Sequence, residues 1–237
     1  MKLPDHLQEG CLIKRYNRFL VDVDLGNNRM VSAYCPNTGA MTGLSIPGMR
    51  VWLSRSHNFK NKLAYILELV EINSSIVGIH TGRANTIVEE AITDGLIPEI
   101  VGYKTIRREV KYELHSRIDI LLETPFQPPC YVEVKNVHLI RSTGPSPGYY
   151  EFPDSVTSRG VKHLDNLTAM AAAGNRSMII FCIQRSDSNC MTIARDIDPK
   201  FGLAFDRARA AGVEAIAWDC KVNLTEIVLK RSVPIVA

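Results

Sequence analysis

Between residues 116 and 136, apolar and polar side chains alternate with a period of two: Ile118, Ile120, Val132 and Val134 against Asp119, Glu133 and Lys135. That alternation predicts two half-buried β-strands, and the proline-bounded stretch from Pro125 to Pro129 predicts the turn of a hairpin. A turn centred on Phe126 sets Asp119 opposite Glu133, with Lys135 on their face and the four branched residues on the other. Directly opposed side chains lie roughly 4.5–5.5 Å apart at Cβ, where like charges destabilise. A divalent cation between the carboxylates removes that conflict, and hard oxygen ligands suit Mg²⁺ or Mn²⁺. A solvated sheet face that carries Asp, Glu and Lys as a surface charge cluster accounts for the same residues without metal.

The remaining pattern changes character near residue 82. Before it, strand-like stretches at Gly10 to Leu25, Arg29 to Cys35, Arg50 to Ser54, Ala64 to Ile72 and Ser75 to His80 are separated by Gly, Asn and Pro turns. About five short strands predict a small OB-like β-barrel over residues 1–82, a class that binds oligonucleotides across its open face. In it Lys14, Arg15 and Arg18 are interleaved with Tyr16 and Phe19, which suits phosphate contact with base stacking; Lys and Arg that guard a strand edge against pairing give the same pattern. Residues 83–237 read as mixed α/β. Asn85 is expected to cap a helix to about Thr93, with Glu90 on its Ile87 and Ala91 stripe; strands follow at Lys104 to Tyr112, Ser116 to Leu122 and Cys130 to Leu139. A helix from Ser158 to Ala173, a strand Ser177 to Gln184, a helix Pro199 to Ala211 and closing strands at Val213 to Val222 and Glu226 to Leu229 complete an αβββαβ order with additions.

Composition narrows the setting. The 237 residues are 46% apolar, enough for a packed core, and a net charge of +3 with pI near 8.5 permits nucleic acid without demanding it. Six cysteines form no CxxC pair, so they are expected as reduced thiols in a cytoplasmic protein. No leader pattern opens the chain, and no apolar run approaches the 18 or so residues of a membrane span.

The acidic pair followed by Glu-X-Lys resembles the PD-(D/E)XK nuclease core. That resemblance implies a metal held by Asp119, Glu133 and the Val134 carbonyl, with Lys135 orienting a water; on the catalytic reading Glu90 reaches the metal through a water from the first helix. A partly buried Glu90 paired with Arg or Lys fits its position equally well. A closer resemblance lies in Cys35-Pro36-Asn37-Thr38-Gly39-Ala40-Met41, Ser116-Arg117-Ile118-Asp119, Tyr131 to Val137, Phe152 to Thr157, Arg159-Gly160-Val161-Lys162-His163-Leu164 and Phe181 to Arg185. Together these look like the sugar fermentation stimulation protein A family. The resemblance implies an OB-like domain, a PD-(D/E)XK nuclease-like domain, non-specific DNA binding and a link to sugar, especially maltose, metabolism. A Gly/Pro-rich stretch at Thr143 to Gly148 departs from it.

On the second helix, Arg159, Lys162 and His163 share a face with Asn166 and, with Arg117 near the acids, are candidates for nucleic-acid contact; a solvated charged face is the plainer account. His163 equally suits a satisfied histidine at the core edge. Two functions stay open on these residues, a Mg²⁺- or Mn²⁺-dependent phosphodiesterase acting on DNA or RNA, and a regulatory protein that binds DNA non-specifically without cleaving it. An interaction scaffold with an incidental acidic cluster fits less well.

Overall fold

A computed structural model describes residues 1–56, 63–113 and 116–236. Six strands come first: β1 (Gln8–Tyr16), β2 (Leu20–Asp24), β3 (Met30–Tyr34), β4 (Arg50–Arg55), β5 (Tyr65–Ile72) and β6 (Ser75–Gly78). Their order β3-β2-β1-β4-β5, closed by a parallel β3–β5 pairing, makes a five-stranded barrel with β6 added beside β5. The stretch expected as one strand, Gly10 to Leu25, folds as the β1–β2 hairpin because Asn17 and Arg18 adopt φ of 50° and 64°. That left-handed geometry reverses the chain. The barrel interior is apolar, with Leu12, Val21, Val23, Val51, Leu53, Leu67 and Val77 at 1% exposure or less.

The second half supplies α1 (Ala84–Thr93), β7 (Thr105–Glu113), β8 (Ser116–Glu123), β9 (Cys130–Val137), β10 (Leu139–Ile140), β11 (Tyr150–Phe152) and α2 (Ser158–Ala172). Then come β12 (Arg176–Ile183), β13 (Met191–Ile193), α3 (Pro199–Ala210), β14 (Glu214–Val222), β15 (Ile227–Val233) and β16 (Ile235–Val236). A mixed sheet of order β15-β14-β12-β9-β8-β7 carries α1 on one face and α2 and α3 on the other. Two apolar clusters hold these layers: Ile87, Val88, Ile120, Val132 and Ile180 under α1, and Leu164, Leu167, Phe181, Phe201 and Phe205 under α2 and α3. The αβββαβ order is present as expected. A small sheet of β10, β11, β13 and β16 was not anticipated, since strands of two or three residues show no periodicity.

Both long helices after the hairpin begin on side-chain caps. Thr157 accepts from the Gly160 amide at 3.0 Å, and Asp198 accepts from Phe201 N at 3.0 Å and from Thr157 N at 2.8 Å, so one carboxylate fixes two helix starts. Asn85 is no cap: Arg83 occupies the cap position without a side-chain bond, and Asn85 lies inside the first turn. Among the described residues no helix is long and apolar enough to cross a membrane.

Candidate metal centre and the domain junction

The hairpin has the expected register and then departs from it at the acids. β8 and β9 pair Leu122 with Cys130, Leu121 with Tyr131 and Ile120 with Val132, and the ladder stops there. Ile118 packs in the cluster under α2, whereas Ile120 packs under α1, so the two do not share a face as alternation implied. The strand turns at Asp119. Its Oδ2 accepts the Val134 amide at 2.8 Å and its Oδ1 accepts Asn85 Nδ2 at 3.0 Å. The carboxylate thus lies where the ladder opens, joined to β9 by a backbone bond instead of facing Glu133 in a regular pair.

Glu133 is 2% exposed, with α2 above it. Lys135 Nζ donates to Glu133 Oε1 at 2.7 Å, and His163 Nδ1 contacts the same oxygen. Arg159 Nε donates to His163 Nε2 at 3.2 Å, which leaves Nδ1 as the ring's donor toward Glu133. Among the described residues, Glu133 Oε2 is buried with no partner. A buried carboxylate oxygen without a donor is costly, and it is a hard ligand ready for a cation. Among the described residues no group of three or more His, Cys, Asp and Glu side chains converges as a complete shell. A divalent ion here would therefore rest on Asp119 and Glu133, with the Val134 carbonyl and water completing its coordination, as suits an ion that keeps several waters.

The two acids are pushed apart in proton affinity. Burial raises Asp119, the Glu133 charge adds to that rise, and the Val134 amide, Lys135 and Asn85 offset only part of it. Burial also acts to raise Glu133, but the His163 bond and the charge of Lys135 outweigh it and hold this carboxyl below its usual range.

Glu90 does not belong to this centre. Its carboxylate pairs with the Met1 amine at 2.5 Å and its side chain is 49% exposed, whereas Glu89 is 31% exposed and pairs with Arg108 at 3.3 Å. Geometry explains the error: at 3.6 residues per turn Glu89 lies about 40° from Asn85 around the helix, and Glu90 about 140°. Asn85, one turn before Glu89, is the α1 residue that reaches the acids; at a helix start its amide has the signature of a cap, and sequence does not distinguish the two.

The basic candidates divide. Arg15 donates to the carbonyls of Arg18, Asn37, Gly39 and Ala40 at 2.7–3.1 Å, so it braces the loop after β3 and is not free for a ligand. Lys14 pairs with Asp22 at 3.4 Å and lies 5.2 Å from the Tyr16 ring centroid, with its side chain 62% exposed. Arg18, Arg117, Arg159 and Lys162 are exposed, while the His163 ring is engaged by Glu133 and Arg159.

A second polar place lies where the barrel meets the α/β domain. His138, 5% exposed, accepts from Asn136 at Nδ1 (3.0 Å), and its Nε2 faces Asn37 Nδ2 at 3.3 Å and Asp154 at 3.6 Å. Gln184 donates to Asn136 Oδ1 at 2.5 Å and to the His80 carbonyl at 3.2 Å. A Cβ at Gly39 would collide with the Asp154 carboxylate, which accounts for glycine in the Cys35–Met41 motif. Burial works to raise Asp154, but His138 leads the partners that hold it below the usual range.

A closed OB barrel followed by an α/β domain with an acid pair at an opening hairpin defines a two-domain class, and comparison with known proteins gives the family. The model described as "SfsA N-terminal OB domain" matches residues 13–79, and that described as "Sugar fermentation stimulation protein RE domain" matches residues 82–226. The chain belongs to the sugar fermentation stimulation protein (SfsA) family. A sugar fermentation stimulation protein homolog of Maricaulis maris is 50% identical over 231 residues, covering 98% of this chain and 97% of the relative. One of Brucella ovis is 49% identical over 235 residues, covering 99% and 97%. The solved structure of Pyrococcus furiosus SfsA in complex with Ca²⁺ aligns with TM-score 0.88 at 28% identity, over 100% of this chain and 98% of that one.

Proposed function

We propose that this protein binds DNA with little sequence preference and hydrolyses phosphodiester bonds at a Mg²⁺- or Mn²⁺-dependent site of PD-(D/E)XK type formed by Asp119, Glu133 and Lys135. The observation that carries the reading is Glu133 Oε2, a buried and unpartnered carboxylate oxygen on the strand that also joins Asp119 and carries Lys135. That a relative of the same fold was solved in complex with Ca²⁺ supports the binding of a divalent ion. Such an ion, when bound, supplies charge stabilisation on the phosphate and a more acidic water. Asp119 and Glu133 hold it. Lys135 orients the attacking water, and Arg159 through His163 fixes the Glu133 carboxylate. As the water adds to phosphorus, the bond to the leaving sugar oxygen breaks and that oxygen takes up a proton.

Exposed Arg18, Arg117, Arg159, Lys162 and Lys14 provide phosphate contacts, which give affinity without base readout. Six unbridged thiols support a reducing, cytoplasmic setting. A second reading keeps the same surface but no turnover, a regulatory DNA-binding protein tied to sugar metabolism; the Lys135–Glu133 ion pair at 2.7 Å favours it, because it ties up the water-orienting amine. Purified protein incubated with single- and double-stranded DNA, with and without Mg²⁺ or Mn²⁺, separates them. Metal-dependent cleavage supports the first reading, binding alone the second, and neither would remove both.

The two arginines of the β1–β2 hairpin are expected to respond differently. Arg18→Ala lowers the slope of log K against log salt by about one. Arg15→Ala leaves that slope unchanged but lowers stability by about 1–2 kcal/mol through lost charged hydrogen bonds at a partly exposed site. Salt titrations of DNA affinity and urea melts read the two effects.

A further inference from the structure

A polar cleft of about 340 Å³ lies at the domain junction, away from the acids. One wall is the barrel's Arg18 and the Asn37–Gly39 loop; the other is Asn136 and His138 of the β9–β10 run with Asp154–Thr157 before α2. Its acids are already engaged. Glu151 is held by Arg141 at 2.6 and 2.7 Å, and Asp154 by His138, Ser155 and the Met41 amide. Arg18 is thus the wall's exposed cation, beside amides and hydroxyls that suit the edges of a base or sugar.

Its position relative to the acids sets the occupant. Asn136 in the wall follows Lys135 directly on β9, a Cα step of about 3.8 Å. Thr157 at the cleft and His163 at Glu133 are six residues apart along α2, about 9 Å of helix rise. A nucleic-acid strand covers that distance in about two to three stacked nucleotides. The volume lies at the low end for ligand pockets, room for one nucleotide but not for a duplex. Next to Arg18 in the chain, Phe19 is 45% exposed and accepts at its carbonyl from Cys35 N; an exposed ring suits a stacking platform.

From these juxtapositions, and resting on the DNA-binding reading above, we infer that the junction cleft receives an unpaired nucleotide of a single DNA strand, two to three positions from the phosphate that would meet the divalent ion of Asp119 and Glu133. The protein then engages single-stranded DNA in preference to a blunt duplex, with the barrel and the α/β domain closing on the strand from either side.

Filling the cleft tests this from both walls. Thr38 and Val156 line it and are exposed, so Thr38→Trp and Val156→Trp occupy the space without touching the acids. Affinities of a labelled single strand and a blunt duplex are measured by fluorescence anisotropy in Ca²⁺, with thermal melts to confirm folding and, as a control, Leu203→Trp on α3, which is exposed and outside the cleft. The expected result is tighter binding of the single strand by the wild type. Each cleft tryptophan should weaken single-strand binding by about tenfold, with duplex binding changed less than about twofold and Leu203→Trp silent. Equal losses on both DNAs, or no loss with either folded variant, overturns the inference while leaving the DNA-binding reading standing. Wild type that binds neither DNA removes that reading and this inference together.

Discussion

Asp119→Asn is expected to abolish most of the thermal stabilisation that Mn²⁺ confers while leaving the metal-free protein at least as stable as the wild type. A ligand at a hundred times its dissociation constant stabilises by about 2.7 kcal/mol, roughly 5–10 °C in Tm for a chain of this size. The metal-free half follows from the sign of the Asp119 shift. Burial and the Glu133 charge raise its folded proton affinity above the unfolded value. The folded state is therefore penalised increasingly as pH rises from the unfolded value through the raised folded one, and asparagine removes that penalty. The advantage of the variant should shrink as pH falls toward the unfolded carboxyl range, where Asp119 is protonated in both states. Glu133 has the opposite sign. Its stabilising contribution is present above the unfolded value and is lost as pH falls through the depressed folded value. Scanning calorimetry with and without Mn²⁺ across pH measures both, and equal Mn²⁺ shifts in the two proteins would remove Asp119 from the centre.

Lys135→Met is expected to keep metal binding but lower phosphodiester cleavage on the order of 10²-fold or more, the scale of losing one polar group that acts in the transition state. Lys135 and His163 share Glu133 Oε1, so without the amine the carboxylate keeps one donor and its orientation. Oε2, the unpartnered oxygen, is untouched. Methionine fills the volume of the lysine stem, which limits the stability cost to the lost ion pair. Isothermal titration with Mn²⁺ alongside a cleavage assay makes the comparison; a variant that loses metal and cleavage together would make Lys135 a holder of Glu133 instead of a partner of the water.

Local pattern carried the architecture and the grouping of Glu133 with Lys135 at the candidate site. Period-two alternation and the Pro-bounded turn were enough to set Ile120 against Val132, because register is fixed wherever one face is buried. Alternation could not report that β8 turns over at Asp119, since that depends on the Val134 amide and on Asn85 arriving from α1. The helical stripe placed Glu90 by its own neighbours and was blind to the amine of Met1, a partner from the far end of the barrel segment. Arg15 looked like a phosphate contact because its charge is visible in sequence and its four carbonyl partners are not. His138 escaped notice for the same reason: its partners Asn37 and Asp154 lie on separate segments, and no spacing rule joins them.

β9 and the residue that follows it serve two masters. Glu133 and Lys135 belong to the acids, while Asn136 and His138 are held by Gln184, Asn37 and Asp154 at the seam with the barrel. The barrel is therefore no detachable cassette. Shuffling it for an unrelated OB module would take Asn37 away from a buried histidine five residues from Glu133, so descent should pass the two halves on as one heritable unit, with drift on either side of the seam answered by drift on the other.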